Sequence, residues 1–309
     1  MDDKNVKQRF EGIVDALSAP TSYLKVCHEH YEDEPMPSIA VLQDIVEKCR
    51  QLIFPGFYGF IPINPTTLKY YTGLLVDQIY EMLNDQVLAG LCFSCTQERT
   101  VELLMSRKKL SKQITIDFIE SIPMLREKMS KDVEAAFLND PAASHQGEVV
   151  FSYPSIKAIC NYRVAHCLYK LGVPMIPRII SELAHSETGI DIHPHAQIGE
   201  SFSIDHGTGV VIGSTCIIGD RVQLFQGVTL GAKSFPLDEN GNPIKGIARH
   251  PIVENDVVIY SNATILGRIT VGHHATIGGN VWVTDDVLPY ARIIQGRSRV
   301  EKFIDGGGI

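Results

Sequence analysis

The sequence predicts an all-α N-terminal domain followed by a left-handed parallel β-helix with one extruded loop. Three observations indicate this fold class: apolar residues follow helical spacing up to about residue 189, a six-residue period replaces it from residue 190, and a long polar segment interrupts that period. We therefore expect a helical domain over 1–189, a β-helix over 190–303 and a flexible tail over 304–309.

Three apolar stripes predict the long helices of the first domain. The first follows Asn64-Pro65, a pair suited to a helix start, and continues at steps of three and four residues with Leu68, Tyr71, Leu75, Ile79 and Leu83. The second lies between Ile122-Pro123 and Asn139-Asp140-Pro141 and comprises Leu125, Met129, Val133 and Phe137. The third spans residues 156–183, and we expect it to break near Gly172 and Pro174.

Beyond Gly189, apolar residues recur at every sixth position. Neither a continuous helix nor a continuous strand repeats at this interval, so the period indicates short strands joined by turns, with three strands in each coil. The anchors of the two series are Ile192, Ile198, Ile204, Val210, Cys216, Val222 and Val228, then Val253, Ile259, Ile265, Val271, Ile277 and Val283. The 25 residues from Val228 to Val253 are not a multiple of six, so a loop over 231–250 must leave the coil.

The composition argues against several classes of protein. With 36 acidic and 28 basic residues the net charge is -8, which disfavours a nucleic-acid-binding surface. No apolar run approaches the roughly 18 residues of a membrane-spanning helix, and the first residues form no apolar signal segment. We therefore expect a cytoplasmic protein whose seven scattered cysteines are reduced thiols.

Four polar motifs in the repeat region resemble the signature of serine O-acetyltransferases. They are Gly189-Ile190-Asp191-Ile192-His193-Pro194, Asp205-His206-Gly207-Thr208-Gly209, Gln226-Gly227-Val228-Thr229-Leu230-Gly231 and Arg249-His250-Pro251. The resemblance covers residues 189 to about 290 and is weaker in the helical part, at Asp140-Pro141-Ala142 and Tyr162-Arg163-Val164-Ala165-His166. It implies transfer of an acetyl group from acetyl-CoA to L-serine, the first step of cysteine biosynthesis.

Acetyl transfer from a thioester to a hydroxyl group needs a base for the alcohol proton, a group that orients the base, and donors for the oxyanion. His206 is the candidate base because imidazole titrates at about pH 6.5. Asp191 precedes His206 by 15 residues, against about 18 for a full coil, so the two side chains can be in contact. The spacing equally allows Asp191 to be an ordinary turn residue and His206 to be a surface histidine. The resemblance implies that Asp191 orients His206 for direct attack on the thioester.

An amino-acid substrate needs a cation for its carboxylate and an anion for its ammonium group. The resemblance implies that Arg249 and His250 bind the carboxylate, and that Asp140 and Asp205 lie on the ammonium and hydroxyl side. Without the resemblance, Asp140 is interpreted as part of a helix terminus and Arg249 as a solvated loop charge.

Coenzyme A is expected beside the later coils, where small side chains expose backbone groups to its pantetheine arm. The resemblance implies contacts at Gly231, Ser261, Ala263, Gly278 and Gly279. The family's Gly-x-Pro-Ala segment after the last coil is replaced by Gly296-Arg297-Ser298-Arg299, which lacks the proline. Acetyl-CoA is the expected co-substrate, and no metal is expected.

The resemblance also implies partners. The family assembles as trimers with active sites between subunits, so we expect a homotrimer or a dimer of trimers, with L-cysteine as feedback inhibitor. The glycine-rich end of the chain, Gly306-Gly307-Gly308-Ile309, resembles tails that insert into the active site of cysteine synthase, with Ile309 as the anchor.

Other functions stay open on the residues alone. One is acetyl transfer to another hydroxylated acceptor, such as a sugar, an antibiotic or a homoserine-like amino acid. A second is a zinc enzyme on the same scaffold, which needs three histidines converging on the metal; here His193, His206 and His250 fall within the four motifs instead. A third, a purely structural role, leaves the four polar motifs unexplained.

Overall fold

The structure, a computed structural model, describes residues 3–28, 34–59, 63–93 and 100–296. Over these residues the first part of the chain is helical and the second consists of short strands. The helices are α1 (Asp3–Ser18), α2 (Pro20–Tyr23), α3 (Ile39–Ile53), α4 (Pro65–Phe93), α5 (Val101–Asn139), α6 (Gln146–Ser152), α7 (Pro154–Lys170) and α8 (Ile176–Thr188).

Fourteen strands of two or three residues follow the helices within the described residues. They are β1 (Asp191–Ile192), β2 (Gln197–Ile198), β3 (Ser203–Asp205), β4 (Val211–Ile212), β5 (Ile217–Ile218), β6 (Gln223–Phe225), β7 (Thr229–Gly231), β8 (Ile252–Val253), β9 (Val258–Ile259), β10 (Thr264–Leu266), β11 (Thr270–Val271), β12 (Thr276–Ile277), β13 (Trp282–Val283) and β14 (Arg292–Ile293).

The predicted helical stripes face the core of the first domain. In α4 the buried side chains include Leu75, Ile79 and Leu83, and in α5 they include Met129 and Val133. The third stripe is split between α7 and α8, as the glycine and proline between them predict.

The start predicted for α5 is wrong. The helix begins at Val101, capped by the Thr100 hydroxyl, which accepts a hydrogen bond from the Leu103 amide at 3.2 Å, and it continues through Pro123. A proline in a helix removes one backbone hydrogen bond, but packing on both sides can hold the helix together. Here Ile122 and Leu125 are both buried, and this packing accounts for the continuous helix.

The strands wind into a three-sided parallel coil, the hexapeptide-repeat left-handed β-helix that the period predicts. The first face contains β1, β4, β7, β10 and β13, the second contains β2, β5, β8 and β11, and the third contains β3, β6, β9, β12 and β14. All thirteen predicted anchors are buried, so the repeat fills the interior of the coil.

The strand register corrects the phase of the repeat. Val211 pairs with Thr229, 18 residues later, but Asp191 pairs with Val211, 20 residues later. The turn between β3 and β4 therefore holds two extra residues. As a result, strand centres move from Ile204 to Ile212, and Val210 is buried at the preceding corner rather than in a strand.

A buried ion pair joins the helical domain to the first coil. Arg163 on α7 donates from Nε to Oδ2 of Asp132 on α5 at 2.6 Å and from Nη2 to the Gly199 carbonyl at 2.8 Å. Oδ1 of Asp132 accepts from the Phe202 amide at 2.9 Å. Because both charged groups are buried and bound to the coil backbone, they fix the position of the coil relative to the helices.

Candidate active site

His206 lies at the corner where the chain passes from the third face to the first, here called the His206 corner. The two extra residues fall in this turn, which has left-handed backbone at His206 (φ 57°), Gly207 (φ 97°) and Gly209 (φ 80°). Left-handed backbone recurs at other turns of the coil, as at Ser201, Arg221 and His274, so the two extra residues rather than the backbone conformation distinguish this corner. The expanded turn leaves the His206 side chain 72% exposed, with Nδ1 3.8 Å from Oδ1 of Asp205.

The end of α5 brings Asp140 to the same corner. Its Oδ2 accepts a hydrogen bond from the Tyr153 hydroxyl at 2.5 Å, and its Oδ1 accepts from the Ala142 amide at 2.8 Å. These bonds, together with the nearby His206, hold the pKa of Asp140 below its ordinary value. Asp140, Tyr153 and Asp205 line one small cleft, and His206 lies close to both carboxylates, so the structure brings together three of the predicted residues, Asp140, Asp205 and His206.

Arg249 and His250 lie at the corner between the first and second faces, here called the Arg249 corner, where the extruded loop returns. The His250 ring packs so closely on Gly213 that a Cβ there would lie 2.0 Å from Cδ2 of the ring. Nδ1 of His250 accepts from the Thr215 amide at 3.1 Å, which leaves the proton on Nε2. Burial, aided by the charges of Arg249 and Arg268, lowers the pKa of His250 to about 4, so this side chain is a neutral donor at pH 7.

The Arg249 side chain is positioned by the loop. Its guanidinium carbon lies 5.3 Å from the centre of the Phe235 ring, and its buried Nε has no hydrogen-bond partner among the described residues. The Arg249 amide donates to the Thr215 hydroxyl at 2.9 Å. The pair therefore offers donors from the guanidinium and from His250, which suits a carboxylate.

The Asp191 side chain lies next to the helical domain. It lies on β1 beside α8, with Oδ1 3.9 Å from Nη1 of Arg178. Within the described ranges, no hydrogen bond or ion pair joins Asp191 to His206, and the buried Oδ1 has no hydrogen-bond partner. The contact that the sequence spacing permits is therefore not made within one chain.

Glu182, His185 and Asp191 form the one group of potential metal ligands found among the described residues, with ligand atoms within 4.8 Å of one another. The Arg178 guanidinium forms an ion pair with Glu182 and lies near Asp191. A positive charge is thus already present beside these carboxylates. The three histidines considered for zinc do not meet, because His206 lies at a different corner from His193 and His250.

The residues expected to contact coenzyme A are divided among three places. Ser261, Gly278 and Gly279 follow the His206 corner in later coils, with the Asn280 amide donating to the Ser261 carbonyl at 2.9 Å. Gly231 ends β7 at the other side of the first face. Ala263 is fully buried, its amide donates to Tyr260 and its carbonyl accepts from Thr229, so it offers a ligand no exposed group.

No family model matches the chain. A curated relative from Synechococcus elongatus, named serine acetyltransferase, plasmid, is 47% identical over 303 residues, which cover 97% of this chain and 94% of the relative. This chain belongs to the serine acetyltransferase family. It is therefore an acyltransferase with acetyl-CoA as its co-substrate, as the motifs predict.

Two solved serine acetyltransferases from Entamoeba histolytica share the fold. Serine acetyltransferase 1, in complex with L-cysteine, is 32% identical, with a TM-score of 0.71 over 86% of this chain and 91% of that chain. Isoform 3, in complex with cysteine, is 29% identical, with a TM-score of 0.70 over 88% of this chain and 86% of that chain. Both the helical domain and the coil therefore belong to the family fold.

The sequence did not indicate three residues that contact the candidate site of this serine acetyltransferase: Tyr153, Arg178 and Thr215. Each acts through a tertiary contact, with Asp140, Asp191 and His250 respectively, and no local pattern marks them. Among the described helices, none is both long and apolar enough to cross a membrane.

Proposed function

We propose that the enzyme converts L-serine and acetyl-CoA to O-acetyl-L-serine and CoA, with His206 as general base for direct attack of the serine hydroxyl on the thioester. The observation that carries the proposal is the His206 corner, where the turn with two extra residues places an exposed imidazole beside Asp205 and Asp140. An exposed imidazole can accept the alcohol proton, and the carboxylates can hold an ammonium group. The test is CoA release with serine, homoserine, a sugar and water as acceptors; a preference for any acceptor over serine contradicts it.

We propose that the complete site forms between two copies of the chain in a homotrimer. The His206 corner and the Arg249 corner are separated by β4 on the first face, so one serine molecule cannot bridge them in one chain. Oδ1 of Asp191 and Nε of Arg249 are buried and without hydrogen-bond partners among the described residues. Both observations support an arrangement in which Asp191 of one copy orients His206 of the next.

The Arg249→Ala variant should lose affinity for serine and keep its affinity for acetyl-CoA. Removing the partner of a carboxylate costs on the order of 1.5–3 kcal/mol, which corresponds to a rise of roughly 10- to 150-fold in the KM for serine. Steady-state kinetics with each substrate varied in turn measures both values. Arg221→Ala, which removes an arginine paired with Asp256 on the coil surface, is the matched control. A collapse in acetyl-CoA affinity alone would mean that the two substrates are placed wrongly.

L-Cysteine differs from L-serine by one atom, and we propose that it inhibits by occupying the serine site. The two cysteine-bound relatives support this proposal. Asp140→Asn should weaken serine and cysteine binding by similar factors, because Asp140 faces the ammonium group that both share. Measurement of the KM for serine and the inhibition constant of cysteine checks this, with Glu148→Gln as the control; a change in only one of the two constants would show separate sites.

We propose that acetyl-CoA lies along the His206 corner past Ser261, Gly278 and Gly279. The small residues Ser261, Gly278 and Gly279 are partly exposed there, so a ligand can reach their backbone. This line leads from the later coils toward His206, which places the thioester near the base. Arg297 and Arg299, in the segment that replaces the family's Gly-x-Pro-Ala, lie outside the described residues.

The tail prediction also falls on residues outside the described ranges. We propose that O-acetyl-L-serine passes to cysteine synthase in cysteine biosynthesis, and that Ile309 anchors a complex between the two enzymes. Calorimetric titration of cysteine synthase from the same organism should give binding heat with the full chain and none after deletion of Ile309. Equal heats, or no heat with the full chain, would contradict the proposal.

A further inference from the structure

A cavity of about 290 Å³ lies between α5, α7 and the first coil, away from both corners of the candidate active site. Met124, Leu125 and Ile198 give it an apolar wall, and Lys128, Lys170 and His166 give it a polar one. We propose that this cavity binds a small organic anion, with one carboxylate, sulfate or phosphate group and a short apolar body.

The charge in the cavity is positive. No acidic side chain lines it, and neither Lys128 nor Lys170 lies within ion-pair distance of a carboxylate among the described residues. Arg163 also lines the cavity, but its charge is balanced by Asp132. Lys128, which is partly buried, and Lys170, which is exposed, therefore bring two positive charges to one cavity that no carboxylate lines.

The positive charge in the cavity affects the pKa of His166. Burial lowers the pKa of His166, and the positive charges of Lys170, Arg163 and Lys128 lower it further. Its Nδ1 lies 2.8 Å from the Pro194 carbonyl, which can only accept, so Nδ1 carries the proton of the neutral ring. A bound anion would compensate the lysines and favour the protonated imidazole, which then adds a third donor.

Arg163 is a buried donor among the residues that line the cavity. Arg163, whose side chain is 4% exposed, has five N–H groups. Four of them bind the two Asp132 oxygens and the carbonyls of Ile198 and Gly199. The remaining N–H on Nη1 has no acceptor among the described residues, and since Arg163 lines the cavity this group is available to a bound oxyanion.

The size and lining of the cavity define the ligand. At roughly 30 Å³ for each water molecule, the volume corresponds to about ten waters, at the lower limit of ordinary ligand pockets. An inorganic oxyanion would satisfy the lysines but leave the wall formed by Met124, Leu125 and Ile198 in contact with water. An anion with a short apolar body satisfies both walls.

Calorimetric titration of the full-length protein with sodium benzoate tests the proposal, at constant ionic strength and with saturating CoA to occupy the acetyl-CoA site. We expect one benzoate per chain, bound about tenfold more weakly by the Lys128→Gln/Lys170→Gln variant. The matched control, Lys109→Gln/Lys112→Gln, removes the same charge from exposed positions of α5 and should bind like the parent protein. No benzoate binding, or equal binding by both double variants, overturns the proposal.

Two further titrations sharpen the result. Sodium sulfate should bind more weakly than benzoate; equal affinity would show that the apolar wall contributes nothing and would overturn the organic class of ligand.

Benzoate heats measured in two cationic buffers of different ionisation enthalpy should reveal proton uptake, which His166→Gln abolishes. Proton uptake that survives in that variant would remove His166 from the site. Because none of these measurements uses acetyl transfer, their failure is distinct from failure of the proposed function.

Discussion

Replacement of His206 by alanine should lower kcat at least about 100-fold, the lower end of the contribution of a general base. The physical reason is that serine's hydroxyl cannot lose its proton to water within the site as fast as to a positioned imidazole. The measurement is the initial rate of CoA release at saturating serine and acetyl-CoA. Near-normal turnover would remove His206 from the mechanism.

The left-handed backbone of His206 requires a second variant. Alanine is strained at a φ of 57°, whereas asparagine adopts this conformation readily, so His206→Asn separates loss of the imidazole from distortion of the turn. His274 provides the matched control, because it is also an exposed histidine with left-handed backbone (φ 57°) at another corner of the coil. We expect both His206 variants to be equally slow and His274→Ala to be close to the parent enzyme.

Asp191→Asn should reduce kcat less than loss of His206, because it removes orientation and charge compensation but leaves the base. If Asp191 and His206 belong to different copies, mixing the Asp191→Asn and His206→Ala proteins should give more activity than the average of the two separate variants. Mixed trimers then contain some interfaces with both native residues. No recovery after co-refolding would place the pair within one chain.

The six-residue period predicted the coil well because every anchor is an inward-facing position of a repeating unit. The phase was harder to predict. Residues two positions before most strand centres are also buried, as Ala196 and Phe202 show, so an apolar residue every sixth position fits two registers. The two extra residues at His206 switch the sequence from one register to the other, and both registers remain apolar.

For the candidate active site, the sequence predicted the residues but not how they come together. Motifs identify which residues belong to a corner, but spacing along the chain does not reveal which corners meet. Asp140 comes to His206 because α5 ends against β3, where Asn139 Nδ2 donates to the Ser203 hydroxyl at 3.0 Å. Tyr153 reaches Asp140 through the same packing. Such contacts depend on the tertiary structure, and no local pattern encodes them.

Replacement of Asp132 by alanine should destabilise the protein by about 3–5 kcal/mol, the usual cost of leaving one member of a buried ion pair without its partner. Arg163 would keep a buried positive charge, and the Phe202 amide would lose its acceptor. Unfolding in guanidinium chloride, followed by circular dichroism at fixed protein concentration, measures the change.

A second ion pair also connects α5 to the first coil and provides a control. Lys131, next to Asp132 on α5, pairs with Glu200 on the first coil at 2.8 Å, but both side chains are exposed to solvent. Lys131→Ala should therefore change stability little, because water replaces the lost partner. The double variant Asp132→Leu/Arg163→Met should lose less stability than Asp132→Ala, since it leaves no unpaired charge. If Asp132→Ala and Lys131→Ala were equally mild, the coil would be held to the helices by apolar packing alone, and the buried pair would have no part in fixing their relative position.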